Sequence, residues 1–165
     1  MSEKNDNQQK IATAKINIQL GMDYLQQNNV FRAKQKLILA LDEAPAIPET
    51  WYAMAYYFET TGNNEEAQRC YLKSIAIAPD RGDVQNNYGT YLCRTGHYKE
   101  SIKHFLFAAQ NPQYLDTASA YENAGFCALK IPDRNLATDY FNKAVAEDPK
   151  RLMAQQELKK LGKNI

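Results

Sequence analysis

The sequence is poor in the residues that build catalytic and metal centres. Among 165 residues it holds two histidines, His97 and His104, and three cysteines, Cys70, Cys93 and Cys127. No cysteine belongs to a Cys-x-x-Cys pair, so a zinc site lacks ligands at workable spacing. The odd count leaves at least one thiol free. No apolar run approaches the roughly 20 residues that a bilayer-spanning helix needs. Neither sign of charge dominates: 20 basic residues against 19 acidic ones leave +1, which argues against a dedicated nucleic-acid binder. No Ser-His-Asp set, Cys-His pair or glycine-rich phosphate loop stands in its required context, so neither an enzyme nor a cofactor is expected. The acids Glu59, Asp83 and Glu122 are scattered and read as a solvated helix face, and the two histidines as surface or groove residues. The opening stretch "MSEKNDNQQK" has no apolar signal-peptide core. It reads as a polar arm over residues 1–11, compatible with a cytosolic start or with a segment left after an export signal.

What is present is a period. The small residues Gly21, Ala55, Gly89 and Gly125 are spaced by 34, 34 and 36 residues. Twelve residues after each lie Ala33, Ala67, Ser101 and Ala137; sixteen after lie Leu37, Tyr71, Phe105 and Phe141; nineteen after lie Ala40, Ser74, Ala108 and Ala144. Pro45, Pro79 and Pro149 follow the same register. This pattern resembles the tetratricopeptide repeat, and the second unit, with Trp51, Ala67, Tyr71 and Pro79, is its most typical copy. Each unit predicts a helix hairpin in which small residues let two helices approach and aromatic residues fill the space between them. The expected fold is all-α: a right-handed superhelical array of four hairpins plus a C-terminal capping helix. One domain spans 12–165, with units near 14–47, 48–81, 82–117 and 118–151 and the cap at 152–162. First helices are expected near 12–27, 48–61, 82–95 and 117–130, and second helices near 30–43, 64–77, 98–110 and 134–147. Asn28, Gly62, Gly96 and Pro132 mark the turns; Pro48 suits a first helical turn, and Asp148-Pro149 reads as a cap followed by the first helical position.

In such an array the first helix of each hairpin lines the concave side. Inward positions in the first two units carry an apolar and aromatic strip, Ile18, Met22, Leu25, Tyr52 and Tyr56, with Glu59 beside it; Asn86 and Arg94 continue it in the third. That composition suits a peptide or amphipathic helix of another protein. Ile18 and Met22 stand where a carboxylate-binding array would need Lys and Asn, so a C-terminal carboxylate is not the expected ligand.

Three stretches exceed what a repeat requires: "NNYGTYLC", "NPQY" and "YENAGFCALK". Together they resemble the type IV pilus biogenesis and stability lipoproteins, the PilF/PilW family. The resemblance implies a pilotin: a protein without catalysis, lipid-anchored at the periplasmic face of the outer membrane, that binds the pilus secretin subunit and promotes its targeting and ring assembly. It would meet the membrane only through an N-terminal lipid anchor; the sequence contains no such anchor, and Ser2–Gln9 would be the tether. A periplasmic site would permit oxidation of Cys93 and Cys127, on adjacent first helices, although two buried thiols fit as well. Cys70 is expected to stay a lone thiol. Asn87 and Asn123 share a column, and with Tyr114 they are expected to hold the inserted loop "NPQYLDT". The competing reading is a cytoplasmic repeat adaptor for another protein's peptide or helix. A weaker one is the repeat segment of a larger enzyme such as a glycosyltransferase.

Overall fold

The computed structural model describes residues 2–162. Among them the only regular structure is helical: α1 (Ser2–Gln26), α2 (Val30–Glu43), α3 (Pro48–Thr60), α4 (Asn64–Ile77), α5 (Gly82–Arg94), α6 (Tyr98–Gln110), α7 (Thr117–Ala128), α8 (Arg134–Glu147) and α9 (Leu152–Gly162). The chain forms two compact units, one up to Pro79 and one from Asp80 on. The first holds the hairpins α1–α2 and α3–α4. The second holds α5–α6, α7–α8 and α9.

The hairpins close the way their sequences dictate. In the first three, the first helix ends on a left-handed residue: Asn28 (φ 57°), Gly62 (φ 81°) and Gly96 (φ 88°). There the next N–H turns back to an open carbonyl: Asn29 to Tyr24, Asn63 to Phe58 and His97 to Leu92, each at 2.8 Å. The second helix then starts on a side-chain cap in three of the four hairpins, where Asn29, Asn63 and Asp133 accept from the N–H three residues on. Pro48 occupies the first turn of α3, where its missing N–H costs nothing.

The core sits between the two helices of each hairpin. Ala33, Ala67, Ser101 and Ala137 are fully buried, and so are Leu37, Phe105 and Phe141 on the same helices. A Cβ built on Gly89 would lie 2.9 Å from the Phe105 ring and 3.2 Å from the Ser101 carbonyl oxygen. Where the small columns of the second helices carry serine, the hydroxyl is satisfied by the facing helix. Ser74 donates to the Pro48 carbonyl at 3.0 Å, and Ser101 to that of Gly89 at 2.6 Å.

Two expectations change. Residues 1–11 were assigned to a polar arm, but α1 begins at Ser2, so a boundary at residue 12 falls inside a helix. This stretch lacks Gly and Pro, and an exposed Lys10–Asp6 pair at 3.1 Å spans one turn of it. Ile11 then packs on the Ala14, Ala40 and Ala44 cluster. Asp148-Pro149 does not open α9. Asp148 ends α8, its N–H bonded to Ala144, while its carboxylate accepts from Lys150 N–H. The last helix starts four residues later, at Leu152.

Gly89→Ala gains helix propensity yet overpacks against Phe105 and the Ser101 carbonyl. It is expected to destabilise the protein by about 1–3 kcal/mol, read from chemical denaturation; an unchanged midpoint would show that the helices have room to spare.

Candidate functional site

The predicted strip divides once side chains are placed. In the first unit, Leu25 is buried and unavailable to a partner. Ile18 is half-buried against the Ala14, Ala40 and Ala44 cluster, so much of it serves the hairpin core. Ala40 of α2 is what covers Ile18. Met22, Tyr52 and Tyr56 remain half-exposed. Glu59 accepts a hydrogen bond from the Tyr71 hydroxyl at 3.2 Å, which turns that acid toward its own hairpin. Trp51 donates its indole N–H to the Pro45 carbonyl at 2.8 Å, while the Lys73 ammonium lies 5.7 Å from the centre of its ring. Cys70 is buried, and burial, with Glu66 adding to it, pushes its thiol up to about 11, leaving it protonated and unreactive at neutral pH.

In the second unit α5 and α7 are cross-braced. Cys93 on α5 and Cys127 on α7 form a disulfide with Cα atoms 5.8 Å apart. Two turns away, the Asn123 amide donates to Asn86 Oδ1 at 3.2 Å, joining the same two helices. Arg94 is exposed at the end of α5. The two asparagines expected to hold the loop do something else. Asn87 donates to the Asp83 carbonyl of its own helix at 2.9 Å, and Asn123 reaches across to Asn86. The loop is held instead by Asn111, whose amide donates to the Asp80 carbonyl, and by Tyr114. Tyr114 fills the space above Gly82, where a Cβ would lie 2.5 Å from its Cβ and Cγ. Burial, together with Asp116 and Asp83 and against Arg151, pushes the Tyr114 hydroxyl up to about 12. Leu115, next along, is 99% exposed.

Glu122 is not a solvated acid but a buried one. It accepts the N–H of Ala154 at 3.2 Å in the first turn of α9 and pairs with Arg151 at 3.4 Å. A carboxylate there also suits the positive end of the helix. Arg151 further engages Asp116 and Asp148, so one guanidinium ties the loop, α7, the end of α8 and α9 together. Sequence reasoning missed this cluster, because a lone Arg before a helix and a lone Glu thirty residues earlier carry no local pattern. Gly82 was a readable signal for Tyr114: it stands where the second repeat has Pro48. His97 is exposed, as expected. His104 is half-buried, hydrogen-bonded to Gln85 at 2.6 Å and edge-on to Tyr88. Burial lowers its pKa, with Glu100 opposing, which favours the neutral ring. Among the described residues no group of His, Cys, Asp and Glu is placed to hold a metal.

The first unit thus presents half-exposed aromatic side chains, and the second presents helices braced to each other. The tetratricopeptide repeat family model matches residues 48–81. An uncharacterized protein of Haemophilus influenzae is 32% identical over 146 residues, covering 88% of this chain and 82% of that one. The type IV pilus assembly protein PilF of Pseudomonas aeruginosa is 33% identical over 128 residues, 78% of this chain and 51% of PilF, so the chain spans about half of that relative. The solved PilF structure matches with a TM-score of 0.83 at 29% identity, covering 92% of this chain and 68% of that one. PilW, described as a widely conserved type IV pilus biogenesis factor, matches with a TM-score of 0.80 at 29% identity, covering 90% and 68%.

The bracing generates two expectations. Reducing the disulfide, which closes a loop of 34 residues, is expected to lower stability by about 2–4 kcal/mol, measured by urea unfolding with and without reductant. Gly82→Ala is expected to unseat Tyr114 and speed limited proteolysis between Asn111 and Asp116. Asn87→Ala is expected to leave that cleavage unchanged, and faster nicking in the Asn87 variant would restore the asparagine to the loop.

Proposed function

Because the chain belongs to the tetratricopeptide-repeat family of the type IV pilus proteins PilF and PilW, we propose that it serves type IV pilus biogenesis as a pilotin-like binding scaffold. Its partner in this reading is the pilus secretin subunit, which it helps to reach the outer membrane and to form its ring. It works at the periplasmic face of that membrane, and no bond is made or broken in its site. The carrying observation is the likeness to PilF in sequence together with the match to both solved structures. A braced helical repeat supports it physically: a rigid surface binds a segment of another protein without a large ordering cost of its own. The disulfide fits an oxidising compartment. In the first unit the half-exposed Met22, Tyr52 and Tyr56 are the remaining groove candidates, since aromatic anchors carry most of the energy of many interfaces.

The test is capture of purified secretin subunit by the immobilised protein. Intact protein is expected to retain secretin, and the Met22→Ala, Tyr52→Ala, Tyr56→Ala triple variant to bind about tenfold or more weakly. Undiminished binding by the folded variant would remove the groove from the proposal, and no capture by intact protein would remove the secretin.

A further inference from the structure

The outer face of α2 carries apolar side chains that neither the repeat nor the groove uses. Phe31 is 72% exposed, Leu39 47% and Ile38 40%. Phe31 and Ile38 are seven residues apart, two helical turns, so they share one stripe with Gln35 between them. Leu39 lies beside that stripe. Opposite it, Ala33, Leu37 and Ala40 are fully buried in the hairpin, so α2 is apolar on two faces. The repeat does not call for this: the positions equivalent to Phe31 in the other three hairpins are Glu65, Lys99 and Asn135.

Charge completes the pattern. Every charged residue from Val30 to Leu41 is basic: Arg32, Lys34 and Lys36. The acids of this helix, Asp42 and Glu43, come only in its last turn, and its first turn has none. Arg32 lies over the Tyr24 ring at 5.7 Å to the centroid, on one flank of the stripe, and the exposed Lys34 stands on the other. Exposed Phe, Ile and Leu bordered by basic side chains match the requirements of an anionic bilayer surface. The apolar groups enter the acyl boundary while Arg and Lys meet phosphate. No described helix is long and apolar enough to cross a membrane, so the contact is lateral.

We propose that the α2 face formed by Phe31, Lys34, Ile38 and Leu39 rests on an anionic lipid surface. This contact is independent of secretin binding and of any lipid attached to the chain. It is tested by sedimenting the purified chain with phosphatidylcholine vesicles, with and without phosphatidylglycerol. The protein is expected to sediment with the anionic vesicles only and to be released by salt. Phe31→Ser with Ile38→Ser is expected to weaken partitioning about tenfold or more, and Lys34→Glu to weaken the anionic preference. Both sets of changes lie on the surface, and circular dichroism checks that the fold is kept. Leu72→Ser, on the outer face of α4, is expected to change nothing. The proposal is overturned by failure to sediment with either vesicle, by equal binding to both, by variants that bind like the parent, or by an equal loss in Leu72→Ser.

Discussion

Everything in this molecule depends on two helices approaching closely enough for a ring to replace a gap. At Gly89 the approach leaves no room for a methyl group: the Phe105 ring and the Ser101 carbonyl occupy the place where a Cβ would sit. Leu37 and Phe141 take the same seat in the first and fourth hairpins, and both are fully buried. The facing column stays small for the same reason. Where it is serine and not alanine, the hydroxyl must find an acceptor in that narrow space, and it finds a backbone carbonyl of the partner helix.

Hairpins built this way leave much of their first helices as surface. The two units treat that surface differently. In the first, apolar contact among Ile11, Ala14, Ile18, Ala40, Ala44 and Ile47 forms a small cluster, and half-exposed aromatic side chains remain outside it. In the second, α5 and α7 are joined by a disulfide and an asparagine pair, and Arg151 gathers three carboxylates where α9 begins. A surface that is braced before its partner arrives loses less freedom on binding. That property suits a scaffold whose partner is another protein.

The pilus reading and the lipid-facing reading of α2 rest on different residues. The first draws on resemblance to PilF and PilW and on the half-exposed side chains Met22, Tyr52 and Tyr56. The second draws on Phe31, Lys34, Ile38 and Leu39, whose column in the other hairpins is mixed or polar. A protein that meets a partner on one face and a bilayer on another holds that partner at a defined height above the membrane. This follows from geometry if both contacts form.

Much of this was legible in the chain itself. The period of 34 residues, the small and aromatic columns and the Asn and Gly turn residues located the eight hairpin helices, because a repeat states each local rule several times over. The expectation that Cys93 and Cys127 could meet came from their places on neighbouring helices. What sequence did not reveal are the contacts made once only. Leu25 and Ile18 read as groove residues until packing buried Leu25 and set Ile18 against Ala40 of α2. Asn87 and Asn123 shared a column, yet one turned to its own helix and the other crossed to Asn86. Glu122 looked solvated until α9 set the Ala154 N–H onto it. Local propensity and periodicity are properties of neighbours in sequence, so the sequence alone determined the hairpins and their cores. Which polar atom meets which across thirty residues depends on side-chain direction and helix placement, and only the tertiary structure decided that.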